Sequence, residues 1–279
     1  MKIIDTHRHL WDLDLFSYSW CRNIPALNRS FRMNDYREAI QHLNVTKSVH
    51  LEADVDEPWM LQETRHILAL AAQDNLLQGV VACCRPEKKS FRAYLDQIAG
   101  EPALKGVRRV LHTQPDELSQ SSLFIENIRS LADYGLCFDI CVLARQLPLA
   151  FQLVRACPDV SFILDHCGNP LIREGLAKPW RAQMGEMALL PNLVCKISGI
   201  VTNADLDHWS TENLRPYVEH VLERFGWDRV IFGSDWPVCT LAASLTEWVE
   251  ALMKITGTAS LQDQEKLFWR NAERIYRLG

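Results

Sequence analysis

The chain has 279 residues, of which 48% are hydrophobic and 23% are charged, and its formal net charge is −5. These proportions are typical of globular proteins and exclude a disordered, collagen-like or coiled-coil chain. No run approaches the roughly 18 consecutive apolar residues of a membrane helix, and no basic run points to a nucleic-acid partner.

The N-terminal segment and the cysteines predict a cytoplasmic protein. Residues 1–7 read MKIIDTH and lack the apolar core and cleavage site of a signal peptide. The nine cysteines form no CxxC pair, which argues against a thiolate zinc site. We expect them to be reduced and to behave as small buried hydrophobic side chains. The exposed positions carry no clear signal for an oligomer.

Short apolar runs rich in β-branched residues recur along the chain, and each predicts a buried strand. Their starts are roughly thirty residues apart, which is the size of one strand–helix unit. The eight predicted strands are Lys2–His9, Lys47–Ala53, Leu77–Cys84, Leu104–His112, Leu136–Leu143, Ser161–Gly168, Asn192–Gly199 and Arg229–Pro237.

The segments between these runs have helical periodicity. Helices are predicted over Glu57–Asn75, Thr211–Gly226 and Ser260–Leu278, where apolar residues recur at helical spacing. Strands that alternate with helices favour parallel pairing. At this length they predict a single-domain (β/α)8 TIM barrel over residues 1–279. A doubly wound sheet is the alternative, but it would need a glycine-rich first turn.

One connection is unusually long. Leu10–Asn34 follows the first strand and is rich in aromatic and turn residues, among them Trp11 and Trp20. Long ordered loops are usually functional. In a barrel this loop would lie over the C-terminal mouth, where it either contributes to a site or plugs the barrel.

Ionisable residues gather near the predicted C-terminal ends of five strands, where barrel enzymes carry their active sites. Alternation along each strand assigns them to the inward face. The inward sets are Ile3, Asp5, His7 and His9; His50 and Glu52; Gly106, Arg108, Val110 and His112; Phe162, Leu164 and His166; and Ile231, Gly233 and Asp235. We therefore expect the polar members of these sets to converge at one mouth.

The histidines and Asp235 are the candidate catalytic groups. His7 and His9 lie two residues apart on one strand, a spacing that suits either one metal ion or hydrogen bonds to a substrate oxygen. His166 joins them from another strand end. Asp235 follows small residues at a turn that Pro237 ends, which exposes a carboxylate placed to act as a general base toward water.

Arg108 and His112 are predicted to bind hydroxyl or carboxylate groups of a substrate, because an arginine fork suits such oxygens. A buried ion pair is the alternative for Arg108, and Lys196 has the same two interpretations. Glu52 is either a ligand, a substrate-binding group or a loop-start acid. His50, deeper in its strand, is expected to be a core histidine.

Five motifs in chain order carry a family resemblance. They are Asp5-Thr6-His7-Arg8-His9, Lys105-Gly106-Val107-Arg108, Asp165-His166-Cys167-Gly168-Asn169-Pro170, Lys196-Ile197-Ser198-Gly199 and Gly233-Ser234-Asp235-Trp236-Pro237. On these motifs the chain resembles the amidohydrolase superfamily. Within it, the chain resembles the amidohydrolase-2 group that contains sugar-acid and 2-pyrone-4,6-dicarboxylate lactonases. The resemblance spans nearly the whole chain and implies a (β/α)8 barrel.

The resemblance also implies that Asp235 is the general base and that three histidines line the site. Hydrolytic members of the superfamily typically carry a bridging lysine or glutamate on the fourth strand, where this chain has Arg108-Arg109-Val110. A two-metal site is therefore not expected. A single divalent ion, zinc, is the expectation, although not every lactonase of this branch requires a metal. The ligands for it are drawn from His7, His9, Glu52, His166 and Asp235.

The activity that follows from these expectations is hydrolysis of a small sugar-acid lactone of the L-fucono-, L-rhamnono- or galactono-lactone type. Trp20 and Trp236 are expected to stack on the apolar face of the sugar ring. The alternatives are a 2-pyrone-4,6-dicarboxylate-type lactonase, a metal-dependent decarboxylase of the same group, and a sugar-acid binding protein without catalysis.

Overall fold

A computed structural model describes residues 1–175 and 177–279 as a parallel sheet with helices between its strands. The strands are β1 (Ile3–Arg8), β2 (Val45–Leu51), β3 (Leu77–Cys83), β4 (Leu104–Val110), β5 (Cys137–Cys141), β6 (Phe162–Leu164), β7 (Leu193–Ile197) and β8 (Val230–Phe232). Each strand pairs with the next along the chain. A parallel bridge between Arg8 and Trp236 joins the end of the sheet to its start. The predicted (β/α)8 barrel is thereby confirmed.

The helices occupy the connections between the strands. They are α1 (Met33–Ala39), α2 (Met60–Ala71), α3 (Phe91–Leu95), α4 (Ser122–Arg129), α5 (Leu131–Tyr134), α6 (Leu147–Ala156), α7 (Ala177–Met187), α8 (Thr211–Phe225), α9 (Leu245–Thr256), α10 (Leu261–Glu265) and α11 (Asn271–Tyr276). Several start at a serine cap, such as Ser244, whose hydroxyl accepts a hydrogen bond from the Glu247 amide. The predicted last helix is interrupted between α10 and α11 by a π-helical stretch at Lys266–Arg270.

β6 and β8 are much shorter than predicted, and the residues that follow them contribute to the site. β6 and β8 have three residues each, whereas the apolar runs continue to Gly168 and Pro237. His166 and Asp235 have left-handed backbone angles, with φ of 53° and 61°. Because a side-chain-bearing residue with positive φ does not fit an extended strand, the chain turns at these two residues.

The barrel interior corrects the predicted faces of three strands, β1, β2 and β6. A small buried cluster combines residues from strands on all sides of the barrel with residues of the C-terminal segment. Side chains from all these strands can meet only inside the barrel. Its members are Ile4, Val49, Leu51, Val81, Cys137, Ile163, Ile231, Ala272, Tyr276 and Leu278. On β6 it is therefore Ile163 that faces inward, whereas Phe162 and Leu164 belong to the outer core. On β1 the inner residue is Ile4, and a register shift between Asp5 and Arg8 follows it.

The second strand shows the same kind of error. Val49 and Leu51 lie inside the barrel, so that His50 faces outward toward α2, where its Nε2 lies 3.7 Å from a Glu63 oxygen. Glu52 comes after the end of β2 and turns inward. The prediction that His50 and Glu52 share one face is therefore wrong, because alternation holds only while the strand continues.

The long connection after β1 has an aromatic core of its own. Trp11 and Phe31 pair through two backbone hydrogen bonds, and Tyr18 is buried beside them. Trp20 contacts Trp11 edge to face, with ring centroids 5.4 Å apart, and reaches the barrel mouth. The loop therefore plugs one side of the barrel and also contributes to the mouth.

The cysteines behave as predicted. All nine are free thiols with buried side chains. Burial raises the pKa of several of them, Cys83 and Cys84 included, well above the ordinary thiol value. Across residues 1–175 and 177–279, each helix is too short or too polar to traverse a bilayer.

Candidate active site

A cavity of about 400 Å³ opens at the C-terminal ends of the strands. Six of the predicted site residues line it: His9, Trp20, Arg108, His112, His166 and Asp235. His7 lies directly beneath it and is fully buried. Glu52 and Trp236 do not reach its wall.

Asp235 meets the histidines at the base of this cavity. Its Oδ1 lies 3.2 Å from His9 Nε2 and 3.6 Å from His7 Nε2. The His7 ring lies 4.4 Å from the His166 ring, centroid to centroid. Ligand atoms of His7, His166 and Asp235 all lie within 4.8 Å of one another. The structure therefore brings together four side chains from three strand ends.

The partners of the imidazoles determine which nitrogen carries the proton. His9 Nδ1 lies 2.9 Å from the Leu51 carbonyl, which only accepts, so Nδ1 donates there. Nε2 of a neutral His9 then presents its lone pair to the Asp235 carboxylate. Because this lone pair and Asp235 Oδ1 are both acceptors, their separation of 3.2 Å requires a proton or a cation between them.

His7 is held in the same tautomer. Burial is the largest effect on its pKa and lowers it well below the ordinary value, so the ring is neutral. Its Nε2 lies 3.3 Å from Arg108 Nη1, which only donates. Its Nδ1 faces Asp165 Oδ1 at 3.3 Å. Nε2 therefore carries the lone pair of the ring, which accepts from Arg108 and lies 3.6 Å from Asp235 Oδ1.

His166 is held from below by the end of β7. Ser198 Oγ lies 2.9 Å from its Nδ1 and also accepts from the His166 amide at 3.3 Å. Burial has the largest single effect and lowers the pKa of His166, but Asp235, Cys141 and Asp165 together raise it more, and the net pKa is above the ordinary value.

A glycine lets these side chains approach each other. Gly199 has φ of 60°, and a Cβ built there would lie 2.5 Å from Asp235 Oδ2 and 2.8 Å from His166 Nδ1. Any larger residue would therefore displace the Asp235 carboxylate or the His166 imidazole. The Gly199 that ends the Lys196-Ile197-Ser198-Gly199 motif has a steric role that the sequence pattern alone did not reveal.

The turn that carries Asp235 is fixed to β1 by a buried carboxylate. Asp5 accepts hydrogen bonds from the Ser234 amide at 2.8 Å and from the Ser234 hydroxyl at 2.6 Å. Tyr36 Oη of α1 donates to the same carboxylate at 2.8 Å. The Asp235 amide also donates to the His7 carbonyl. We call these contacts of Asp5, Ser234 and Tyr36 the closure contacts, because they join the last strand to the first.

Arg108 and Glu52 pair with each other. Arg108 Nε donates to Glu52 Oε1 at 2.7 Å, and Nη2 donates to the Glu52 carbonyl at 2.6 Å. Nη1 lies 3.3 Å from Asp165 Oδ2. Burial has the largest single effect and raises the pKa of Glu52, but Arg108, the Asp54 amide and Arg85 together lower it more, so the net pKa is below the ordinary value and the carboxylate stays ionised. Glu52 thus neutralises the charge of Arg108, and only a small part of the Arg108 side chain is exposed to the cavity.

Beneath the histidines lies a group of buried charges that we call the floor network: Asp139, Asp165 and Lys196. Lys196 Nζ is 2.6 Å from Asp139 Oδ2 and 3.0 Å from Asp165 Oδ1, and all three side chains are fully buried. Tyr276 Oη donates to Asp139 at 2.9 Å. Burial raises the pKa of Asp165, but Lys196, His7 and Arg108 together lower it well below the ordinary value. Lys196 is thus a buried ion-pair residue rather than a substrate contact.

The three remaining predicted residues differ in position. Trp20 lines the cavity with its indole NH bonded to the Ala53 carbonyl at 2.7 Å. His112 lines it with Nδ1 3.2 Å from Cys141 Sγ. Trp236 is buried against Tyr36 and does not reach the cavity, because it belongs to the closing turn of the barrel.

Sequence reasoning missed several residues of the cavity wall. Asp54, Cys141, Thr202 and Asn203 line it but stand outside the motifs. Asn169 was not among the predicted site residues. It lines the cavity and donates to the Val142 carbonyl at 2.8 Å. Its place in the motif that begins with Asp165 and His166 was the available signal.

Comparisons with known proteins identify the family. The Amidohydrolase family profile matches residues 4–278. The chain is 31% identical over 294 residues to L-fucono-1,5-lactonase of Burkholderia multivorans (strain ATCC 17616 / 249), which covers 99% of this chain and 96% of that protein. It is 30% identical over 296 residues to protein y4mH of Sinorhizobium fredii (strain NBRC 101917 / NGR234), covering 100% and 99% respectively.

A solved structure agrees over the full length. An amidohydrolase from Burkholderia multivorans, crystallised with bound zinc, superposes with a TM-score of 0.91 at 26% identity and covers 100% of both chains. The resemblance inferred from the five sequence motifs is confirmed. This chain belongs to the amidohydrolase family.

Proposed function

We propose that the protein hydrolyses a small, uncharged sugar-acid lactone, with Asp235 as the general base. The observation that supports this most is the position of the Asp235 carboxylate. It lies at the base of a cavity of about 400 Å³, beside the Nε2 atoms of His7 and His9. The similarity to L-fucono-1,5-lactonase over nearly the whole chain supports the same substrate class.

In this mechanism Asp235 takes a proton from a water molecule as the water oxygen attacks the ring carbonyl carbon. The carbonyl oxygen gains negative charge, and groups that stabilise it contribute roughly 2.7–4 kcal/mol per well-placed donor. When the ring C–O bond breaks, the leaving alkoxide takes the proton back from Asp235. The product is the open hydroxy acid.

The charges of the cavity favour a neutral lactone over a dicarboxylate. Its wall carries two carboxyl groups, Asp54 and Asp235. The wall's arginine, Arg108, is already paired with Glu52 and Asp165. A dicarboxylate would therefore meet no unpaired arginine or lysine side chain of the described wall. The amide and hydroxyl groups of Asn169, Thr202 and Asn203, by contrast, suit sugar hydroxyls.

The test is a panel of lactones with acid release read by a pH indicator. The panel contains L-fucono-1,5-lactone, L-rhamnono-γ-lactone and 2-pyrone-4,6-dicarboxylate, and a parallel arm measures CO2 release from hydroxybenzoates. We expect turnover of the neutral sugar lactones, and an Asp235→Asn protein purified in the same way serves as the blank. Turnover of the dicarboxylate alone, or decarboxylation alone, would contradict the proposal.

We further propose that the site holds one zinc ion. The donor set fits: His7 Nε2, His9 Nε2 and Asp235 Oδ1 lie near one another, and the Asp165 carboxylate and the Leu51 carbonyl face the Nδ1 atoms on the far side of the two rings, as around many metal ions. His166 supplies one further ligand atom, within 4.8 Å of those of His7 and Asp235. When bound, zinc would polarise the lactone carbonyl and acidify water. The zinc in the related Burkholderia multivorans structure supports this choice of metal.

Elemental analysis of purified protein tests the zinc proposal. Wild type is expected to contain about one zinc per chain, as single-ion sites with this ligand set do. His166→Ala is expected to lose it, whereas Glu52→Gln is expected to keep it, because Glu52 is bound to Arg108 instead. Equal zinc in wild type and His166→Ala would contradict the proposed ligand set.

A further inference from the structure

A second cavity lies outside the barrel, between the long loop after β1 and helix α2. Its volume is about 260 Å³. Most of its wall is apolar, and four of its residues are aromatic: Trp11, Phe16, Tyr18 and Phe31. Neither the proposed reaction nor the family motifs use this cavity.

One buried carboxyl group faces this space. Glu63 lines the cavity from α2 and is only 2% exposed. Its Oε1 has no hydrogen-bond partner among the described residues. Its nearest basic group, His50 Nε2, lies 3.7 Å away and is also unpartnered there. Since buried polar groups are nearly always paired, a carboxyl group in this state points to a partner from outside the chain.

The other charges do not satisfy Glu63. Arg32 and Asp12 also line the cavity, but they pair with each other at 2.6 Å near its exposed rim. His66 lines it from the next turn of α2 and contacts the Phe16 ring edge to face. The interior therefore combines an unpaired carboxyl group with an aromatic wall.

We propose that this second cavity binds a small organic ammonium ion, with the charged head at Glu63 and the hydrocarbon body among the aromatic side chains. Aromatic faces attract cations, and a carboxylate gives an ammonium group a charge-assisted hydrogen bond. An anion would be repelled by Glu63 and Asp12. A fully apolar ligand would leave the carboxyl group unpaired.

The position of the cavity links it to the active site. Trp11 belongs to its wall, and Trp20, which contacts Trp11 edge to face, belongs to the wall of the active-site cavity. An occupant of the second cavity would therefore contact Trp11, which packs against the Trp20 that borders the active-site cavity. This site does not depend on the proposed lactonase activity.

Calorimetric titration of the whole protein with benzylamine tests the proposal, with benzyl alcohol as the uncharged probe of the same shape. The titration is run just above the pKa of about 8 to which burial raises Glu63. We expect saturable binding of benzylamine and binding of benzyl alcohol weaker by about 10-fold or more, which is the value of one charge-assisted hydrogen bond.

Variants distinguish benzylamine binding in this cavity from binding in the active site, which also carries carboxyl groups. Glu63→Gln should weaken benzylamine binding by about 10- to 100-fold, whereas the same change at exposed Glu38 should leave it unchanged. Leu70→Trp, which fills the cavity from its half-buried wall, should abolish binding. Absence of saturable binding to wild type would overturn the proposal. So would binding that survives Glu63→Gln but is lost in Asp235→Asn.

Discussion

The mouth and the floor network of the barrel use the same residue types in opposite ways. In the floor network, Lys196 lies between Asp139 and Asp165, and each charge has an opposite charge within 3.0 Å. At the mouth, Asp235 lies beside the Nε2 atoms of His7 and His9, and no arginine or lysine of the described residues pairs with it. The charges of the floor network are therefore paired with each other, whereas the carboxylate at the mouth is not paired with a lysine or arginine.

This difference shows how a barrel supports a reactive carboxylate. Asp165 of the floor network contacts both His7 and Arg108, so the paired charges below hold the groups above in orientation. Positions held in this way lower the reorganisation needed during reaction. We therefore expect changes at the mouth to reduce activity and changes in the floor network to reduce stability.

The largest effect is expected from Asp235→Asn. The amide keeps the shape but cannot accept a proton from water, so kcat should fall by about 100- to 10,000-fold, the usual contribution of a general base. Asp54→Asn alters another carboxyl group on the same wall and should change kcat by less than about tenfold. Steady-state kinetics on the preferred lactone measures both, and equal losses would remove the distinction between them.

Lys196→Met tests the floor network. It leaves Asp139 and Asp165 buried without their cation, which should lower the free energy of unfolding by about 3–5 kcal/mol. Lys89→Met, at an exposed lysine, is the matched control and should stay within about 0.5 kcal/mol of wild type. Denaturant titration measures both. A Lys196→Met protein as stable as the control would show that the floor network is not structural.

A pair of glycine variants tests how closely the mouth is packed. Gly199→Ala and Gly175→Ala both place a Cβ on a residue with positive φ, so both should lose about 1–3 kcal/mol of stability. A Cβ at Gly175 meets nothing within 4 Å, whereas one at Gly199 would contact Asp235 and His166. Only Gly199→Ala should therefore lose activity. Similar kcat values in the two variants would contradict the geometry of the mouth.

The smallest expected effect, expressed per pH unit, concerns the contribution of Glu63 to stability. Among the described residues this carboxyl group has no arginine or lysine partner, whereas Glu52 is paired with Arg108. Burial, and to a smaller degree Glu52, raises the pKa of Glu63 from 4.5 to about 8. Between these values the unfolded chain ionises while the folded one keeps its proton. The Glu63 contribution to stability is thus present at low pH and lost as the pH rises, by about 1.4 kcal/mol per unit.

Glu63→Gln should remove this part of the pH dependence. The neighbouring His50, His66 and Tyr18 and the Asp12–Arg32 pair are the same in both proteins, so their titration cancels in the difference. Urea titrations of wild type and variant across this pH range measure it. Parallel stability curves for the two proteins would show that Glu63 titrates normally.

The strand pattern predicted most of the fold, because eight buried strands each carry a local signal. It predicted the ends of β6 and β8 poorly, since the left-handed residues His166 and Asp235 stop a strand without any break in the apolar run. Both residues still reach the mouth, but through a turn rather than through alternation. The inward face assigned to Phe162 and Leu164 was wrong for the same reason.

The second limit of sequence-based prediction was the pairing of side chains that come from different strands. Nothing near Glu52 in the chain shows that Arg108, on another strand, neutralises it. Trp236 looks like a substrate contact beside Asp235, yet it packs against Tyr36 on the other side of the turn. Such partners depend on register and tertiary contacts, which the period of a single strand does not contain.

The closure contacts have a consequence for how activity arises during synthesis. Asp5 and Ser234, which hold the two edges of the barrel together, are 229 positions apart in the chain. A nascent polypeptide that has not yet released its final strand from the ribosome carries His7, His9 and His166 but cannot yet bring Asp235 to them. Hydrolytic competence therefore begins only with the complete barrel, and a prematurely terminated product remains inert.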